Sequence, residues 1–276
     1  MTSLLQATVV SAERYGRAVT GERWRVRLGD GREVFVKARE RAPEGFFAAE
    51  AAGLRWLAEA GGPPVPEVLA VDRELLVLPW LAAAADPPAG AVERLGRELA
   101  TLHAAGAPGF GARWAGWIGA APLDNRPCDT WPDFYAARRI EPYVRMLRDA
   151  GLPSDSAAVF DRLAARLPTL AGPAEPPARL HGDLWNGNVL WSGGRGWLVD
   201  PAAHGGHRET DLAMLELFGL PRLSRLLGAY QEVTPLAAGW EQRRRLHQMH
   251  PLLVHALLFP TGGYLVAALE LARRYL

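Results

Sequence analysis

Lysine is almost absent from this chain: of 31 Lys and Arg residues, only Lys37 is lysine. Arginine evidently serves wherever a positive charge suffices. The lone ammonium therefore marks a place that needs a compact point charge on a slim stem, which a broad planar guanidinium does not supply. Asparagine is scarce too, at Asn125, Asn186 and Asn188, and two of the three share one short loop. The single cysteine, Cys128, excludes an intrachain disulfide and fits a reducing compartment. With only Arg126 as a basic neighbour, it reads as an inert thiol. Apolar stretches such as Leu75–Ala85 and Leu252–Phe259 fall short of the ~18 residues a membrane span requires. A basic segment followed by an apolar run is missing at the amino terminus, so no signal peptide is expected and a cytoplasmic location is the default. The net charge is +1, without a concentrated basic run, which argues against nucleic-acid and anionic-membrane partners. The tract Arg243-Arg244-Arg245 reads as a solvated helix face.

What is present is enough for a packed core. Hydrophobic residues make up 49% and charged residues 22% of 276 positions, the size of one large or two modest domains. Glu22–Leu28 and Glu33–Ala38 alternate charged and apolar side chains around Gly29-Asp30-Gly31, which predicts a β-hairpin. A helix is expected from Pro43 to Ala60, stopped by Gly61-Gly62-Pro63-Pro64. Val65–Val71 and Leu75–Leu78 read as further strands, and Ala82–Gly90 as a linker. Beyond it the pattern turns helical: Ala91–Ala105, Trp131–Ala150, Ser156–Leu170, Glu209–Phe218, Leu223–Glu232, Trp240–Phe259 and Tyr264–Tyr275. Short strands at Arg179–His181, Val189–Trp191 and Trp197–Val199 interrupt the series. The expectation is an α+β fold of two lobes, a small antiparallel sheet with one helix over residues 1–81 and a larger, mainly helical lobe over 82–276.

The chemistry concentrates in Leu180-His181-Gly182-Asp183-Leu184-Trp185-Asn186-Gly187-Asn188-Val189-Leu190. Phosphoryl transfer asks a protein mainly for positioning and charge neutralisation. Asp183 can accept the proton of an acceptor hydroxyl, and Asn188, five residues on, can hold a metal ion; protein kinases use the same spacing. The apolar strand Trp197-Leu198-Val199 ends in Asp200, placed to be a second Mg²⁺ ligand. Either aspartate alone could merely make a turn or end a strand; the trio makes the functional reading stronger. The strand Val34-Phe35-Val36-Lys37 adds the cation that would contact ATP phosphates. Glu50 is its expected partner on the next helix, with Glu44 as a fallback. His247, His250 and His255 share a helical spacing that allows a metal site, though packing roles suit them better.

These strings together resemble the fructosamine kinase (ketosamine-3-kinase) family, within the wider kinase-like group of aminoglycoside and choline kinases. The more specific matches are His181 to Asn188, Asp200-Pro201-Ala202, Arg208-Glu209-Thr210-Asp211-Leu212-Ala213-Met214, Leu217-Phe218-Gly219, Leu99 to His103, Gly116-Trp117-Ile118-Gly119, and Asn125 with Trp131, Phe134 and Tyr135. The resemblance implies a protein-kinase-like fold using ATP and Mg²⁺ to phosphorylate the third-carbon hydroxyl of a ketosamine, a sugar amine, which destabilises the adduct and frees the amine. It implies Asp183 as the catalytic base, Asn188 and Asp200 as Mg²⁺ ligands, and Lys37 and Glu50 at the ATP phosphates. Trp185 would face the sugar, and His181 and Asp211 would support the loop. His204 is a candidate substrate contact, with His207 beside it.

The chain departs from the pattern in two places. Only Gly16 and Gly21 lie near Tyr15-Gly16-Arg17, so no glycine-rich phosphate loop is present. Pro79 removes one donor where the adenine edge is expected, leaving the Leu78 carbonyl and the Trp80 N–H as the adenine contacts. Two rivals stand beside the ketosamine reading. One is an aminoglycoside or amino-alcohol phosphotransferase, disfavoured by Trp185 and the Arg208–Met214 string. The other is a non-catalytic nucleotide-binding module, which has no need of a base at Asp183.

Overall fold

The computed structural model describes residues 5–18 and 20–276. Strands β1 (Val9–Ala18), β2 (Gly21–Leu28), β3 (Glu33–Ala38), β4 (Ala70–Val71) and β5 (Leu75–Pro79) form one antiparallel sheet in the order β1-β2-β3-β5-β4. The β2–β3 hairpin is the expected one, and Arg23 lies directly opposite Lys37 in its register. Strand β1 is new. It is largely solvent-exposed and lacks the apolar alternation that marks a half-buried strand. The predicted strand over residues 65–71 shrinks to its last two residues.

Helix α1 (Phe46–Ala58) packs Phe46, Phe47, Ala51 and Leu54 against Leu76 and Leu78 of β5. It carries Glu50 toward the sheet. Its Gly53 lies close to the segment after Asp200: a Cβ there would stand 3.1 Å from that of Ala203.

The larger part holds α2 (Ala91–Ala104), α3 (Trp131–Phe134), α4 (Glu141–Asp149), α5 (Ser154–Leu170), α6 (Glu209–Leu217), α7 (Leu223–Val233), α8 (Trp240–His247), α9 (Met249–Leu258) and α10 (Tyr264–Arg273). Among them run three two-stranded ribbons: β6 (Gly116–Ile118) with β7 (Ala121–Leu123), β8 (Ala178–Leu180) with β11 (His204–Gly206), and β9 (Val189–Ser192) with β10 (Arg195–Leu198). Two of the predicted long helices are broken. Between α3 and α4 the chain widens into a π-turn over Tyr135–Ile140, just before Pro142, which has no N–H to continue an α ladder. Between α8 and α9, Pro251 likewise removes the donor that would reach His247. The buried Tyr135 hydroxyl fills that gap, donating at 2.9 Å and 3.0 Å to the Leu246 and His247 carbonyls and accepting the His250 N–H at 3.1 Å.

The arginine tract also differs from expectation. Arg245 is exposed, but Arg243 turns inward and closes a buried two-pronged pair with Glu209 (Nε–Oε2 3.0 Å, Nη2–Oε1 2.6 Å). A glutamate with no exposed surface requires that partner. No helix among the described residues is long and apolar enough to cross a membrane.

Candidate active site

The turn after β8 is built around two backbone donors and one carboxylate. Asp211, from the first turn of α6, accepts the His181 N–H through Oδ2 at 2.8 Å and the Gly182 N–H through Oδ1 at 2.9 Å. Burial alone would raise the pKa of Asp211, but His103 and these bonds outweigh it and hold the group below the usual carboxylate range. Gly182 has φ 81°, and a Cβ there would meet the Ala202 carbonyl at 2.3 Å, so only glycine lets the turn lie against the strand that follows Asp200. His181 is fully buried. Its Nε2 bonds the Val199 carbonyl at 3.0 Å and its Nδ1 accepts the Asp183 N–H at 3.3 Å, which ties the Asp183 turn to the strand leading into Asp200.

Asn188 closes the other end of the loop. Its Nδ2 donates to the Asp183 backbone carbonyl at 2.8 Å and to Asp183 Oδ2 at 3.0 Å, leaving the amide oxygen for another partner. Burial, reinforced by the nearby Asp200 carboxylate, pushes Asp183 up to about 7.

Lys37 reaches down from β3 to bridge two acids. Its Nζ lies 2.6 Å from Glu50 Oε1 and 2.6 Å from Asp200 Oδ1, with only 6% of the residue exposed. Burial works against the ammonium, yet Asp200 and Glu50 outweigh it and the pKa rises. Asp200 feels the reverse balance: burial would raise it, and Lys37 with Arg23 holds it low. Asp200 also sits at φ 56°, a left-handed conformation that non-glycine residues seldom take. The Asp200 carboxylate and the Asn188 amide oxygen are hard oxygen donors that suit Mg²⁺, which takes one or two protein oxygens beside those of phosphate.

Two cavities of about 240 Å³ each flank this centre, and Arg23, Trp185, Asn188 and Asp200 line both. One is walled by Tyr15, Phe35, Leu78, Pro79, Trp80 and Val199. The other holds Lys37, Glu50 and Asp183 together with Trp117, His255 and Phe259.

Two expected contacts change. The Trp80 N–H donates to the Glu33 carbonyl at 3.1 Å, and the β3–β5 register pairs Phe35 with Leu78. Even-numbered β5 residues therefore turn their peptide groups toward β3, and odd-numbered ones away, as the Val77 carbonyl does in accepting the Leu69 N–H at 3.0 Å. The Leu78 carbonyl and the Trp80 N–H are used inside the sheet. The outward peptide group at this strand end is that of Pro79, and Trp80 presents its indole instead.

His204 also departs from expectation. It is buried in β11, its Nδ1 bonded to the Ala202 carbonyl at 2.8 Å, and it lines neither cavity. His207 is buried as well, beside Glu209 and His247, and Arg243 already occupies both oxygens of that glutamate. The trio of His247, His250 and His255 separates: His250 packs on Tyr143, while His255 lies tilted against Phe218, Phe259 and Tyr264 at the cavity wall.

Arg23 has no counterpart among the residues the sequence singles out, and His255, singled out there for metal or packing, lines the cavity instead. The alternation of β2 places Arg23 among other charged residues without distinguishing it, whereas pairing with Lys37 would single it out once the hairpin register is known.

What the cleft offers a reaction is charge and position: an ammonium and a guanidinium on the sheet side, and two carboxylates with an amide on the other. On this sheet-and-helix scaffold the chain is a small-molecule kinase of the protein-kinase-like fold. Comparison narrows the class. The fructosamine kinase family model matches residues 5–276. A Thermus thermophilus protein named a probable ketoamine kinase is 38% identical over 242 residues, covering 87% of this chain and 84% of that protein. One from Klebsiella aerogenes is 34% identical over 251 residues, covering 89% and 85%. Among solved structures, a candidate fructosamine-3-kinase from Thermobifida fusca superposes with a TM-score of 0.94 at 48% identity, over 99% of this chain and 96% of that one. A choline kinase from Streptococcus pneumoniae shares the fold alone, with a TM-score of 0.67 and 17% identity over 97% and 93%. The chain belongs to the fructosamine kinase family.

Proposed function

We propose that this kinase transfers the γ-phosphoryl group of ATP to the third-carbon hydroxyl of a ketosamine. The observation that carries the reading is the meeting of Lys37, Asp183, Asn188 and Asp200 between two cavities, one apolar and backed by the sheet, the other walled by aromatic rings. The apolar cavity suits adenine between Phe35, Leu78, Trp80 and Val199, with the Pro79 carbonyl as the acceptor for its amino group. Lys37, fixed by Glu50, binds the α- and β-phosphates.

Asp200 and the Asn188 amide oxygen would hold Mg²⁺, which when bound neutralises charge on the phosphates. Asp183 orients the acceptor hydroxyl and takes its proton as the oxygen attacks phosphorus. Trp185 is 39% exposed and packs edge-to-face on Phe218, which suits a sugar ring lying against the indole. Trp117, His255 and Phe259 close the acceptor side and limit its size.

Phosphate at the third carbon makes the adduct unstable and releases the amine, so the biological outcome would be removal of sugar from glycated amines. The test is to supply ATP and Mg²⁺ with fructose, ribulose and erythrulose adducts of lysine, and separately with an aminoglycoside panel. Phosphorylation of the lysine adducts at the third carbon supports the proposal; turnover confined to aminoglycosides refutes it.

A further inference from the structure

Arg23 stands next to Lys37 across the β2–β3 ladder and opposite Gly16 across β1–β2. Two cations side by side on one sheet repel unless an anion lies between them. Here that anion is Asp200, whose Oδ1 takes Lys37 at 2.6 Å and whose Oδ2 takes Arg23 at 3.2 Å. The arrangement leaves Arg23 under-used. Among the described residues its Nε is buried without a hydrogen-bond partner, and its bond to Asp200 is long for a charge-assisted contact. Arg23 also lines both cavities, so it borders the path a phosphate chain must take from one to the other.

We propose that Arg23 is a triphosphate-binding residue. A metal ion on Asp200 would compete with Lys37 and Arg23 for the negative charge of one carboxylate. With that charge drawn to the metal, the hold of Asp200 on Arg23 weakens, and the phosphates of the nucleotide bring new anions to the guanidinium. The guanidinium then satisfies Nε and Nη2 on phosphate oxygens, in the two-pronged geometry that arginine favours. This supplies positive charge where the β1–β2 hairpin has only Gly16 and Gly21 in place of a glycine-rich run of peptide N–H donors. The assignment rests on the ATP reading above.

The test is calorimetric binding of Mg²⁺ with the non-hydrolysable ATP analogue AMP-PNP, and of adenosine alone, to the unaltered chain, Arg23→Met and Arg23→Lys. Arg23→Met should weaken AMP-PNP roughly 10- to 100-fold, the loss of one or two charge-assisted bonds. Adenosine affinity should stay within about twofold of the unaltered chain's, since the base and ribose end is untouched, and Arg23→Lys should recover part of the loss. Equal weakening of adenosine and AMP-PNP would mean that Arg23 merely supports the sheet, and overturns the assignment. Unchanged or tighter AMP-PNP binding would mean that Arg23 only competes with the metal for Asp200, and overturns it too. If the unaltered chain binds no AMP-PNP, the nucleotide reading fails first and takes this assignment with it.

Discussion

Asp211 holds the peptide N–H of His181 at 2.8 Å, from a helix 30 positions further along the chain. The same carboxylate takes the Gly182 N–H at 2.9 Å, so one buried side chain fixes both donors of the turn that aims Asp183.

Asp211→Ala should therefore damage both the turn and its geometry. Each buried N–H left without an acceptor costs about 1–3 kcal/mol. Urea unfolding should show a loss of roughly 2–5 kcal/mol, and in the surviving folded fraction kcat should fall more than the KM for ATP rises. Asp211→Asn keeps one acceptor oxygen, so it should lose less than Asp211→Ala on both counts.

The two site aspartates should separate in their effects. Asp183→Asn should lower kcat by about 10²–10⁴, the usual worth of a positioned general base, while AMP-PNP affinity measured by calorimetry changes little. Asp200→Ala should weaken Mg²⁺-dependent AMP-PNP binding as well. Loss of nucleotide affinity in Asp183→Asn to the same degree would count against its assignment as the base.

Arg243 and Glu209 form a buried pair that lines neither cavity. Removing one partner strands the other charge, so Arg243→Ala should cost about 3–5 kcal/mol in chemical denaturation. The double variant Arg243→Met with Glu209→Leu should lose less than Arg243→Ala alone. A double loss equal to the sum of the two single losses would show that the pair is not coupled.

Stability should decline on acidification before carboxylates of ordinary pKa titrate; Asp183, pushed up to about 7, takes up a proton on folding below that pH and offsets part of the decline. Burial pushes His204 and His207 down to about 3, so both are neutral in the folded chain while free imidazole protonates near 6.5. A group whose folded pKa is depressed contributes stability above its unfolded pKa and loses it as pH falls toward the folded value. Each histidine should thus add a slope of about 1.4 kcal/mol per pH unit between roughly 6 and 3. Glu209, held down to about 2 because His247 and Arg243 outweigh the burial that would raise it, adds its own loss below about pH 4.5. Urea midpoints flat from pH 7 to pH 5 would contradict the histidine contribution.

Much of the site is legible in the sequence because its residues are chemically singular. Lys37 is the one lysine and ends an apolar strand. Asp183, Asn188 and Asp200 recur at spacings that phosphoryl transfer requires. The helices are legible because their apolar faces repeat at helical period, and the β2–β3 hairpin because its turn residues are distinctive. Arg23 stays hidden because nothing in the chain's composition separates it from other arginines; only cross-strand register shows it beside Lys37. The Leu78 and Trp80 contacts fail for a related reason. Which peptide groups face out of a strand depends on a parity set by its neighbour, and a shift of one residue exchanges donors and acceptors. His204 fails because its two polar atoms are judged in sequence by the loop they follow, whereas β8 pairs with β11 and draws the ring inward. The helix breaks at Pro142 and Pro251 depend on prolines whose cost is met by specific partners, Tyr135 above all, that only the folded chain brings near.

The burial of Lys37 has a consequence for the enzyme's own durability. Unprotonated amines attack the carbonyl carbon of reducing sugars, and the only lysine here is shielded from solvent and kept charged by two carboxylates. A kinase of ketosamines thus exposes no lysine side chain of its own to such sugars, and prolonged incubation with ribose should leave Lys37 unmodified by peptide mass mapping while a lysine-rich control accumulates adducts.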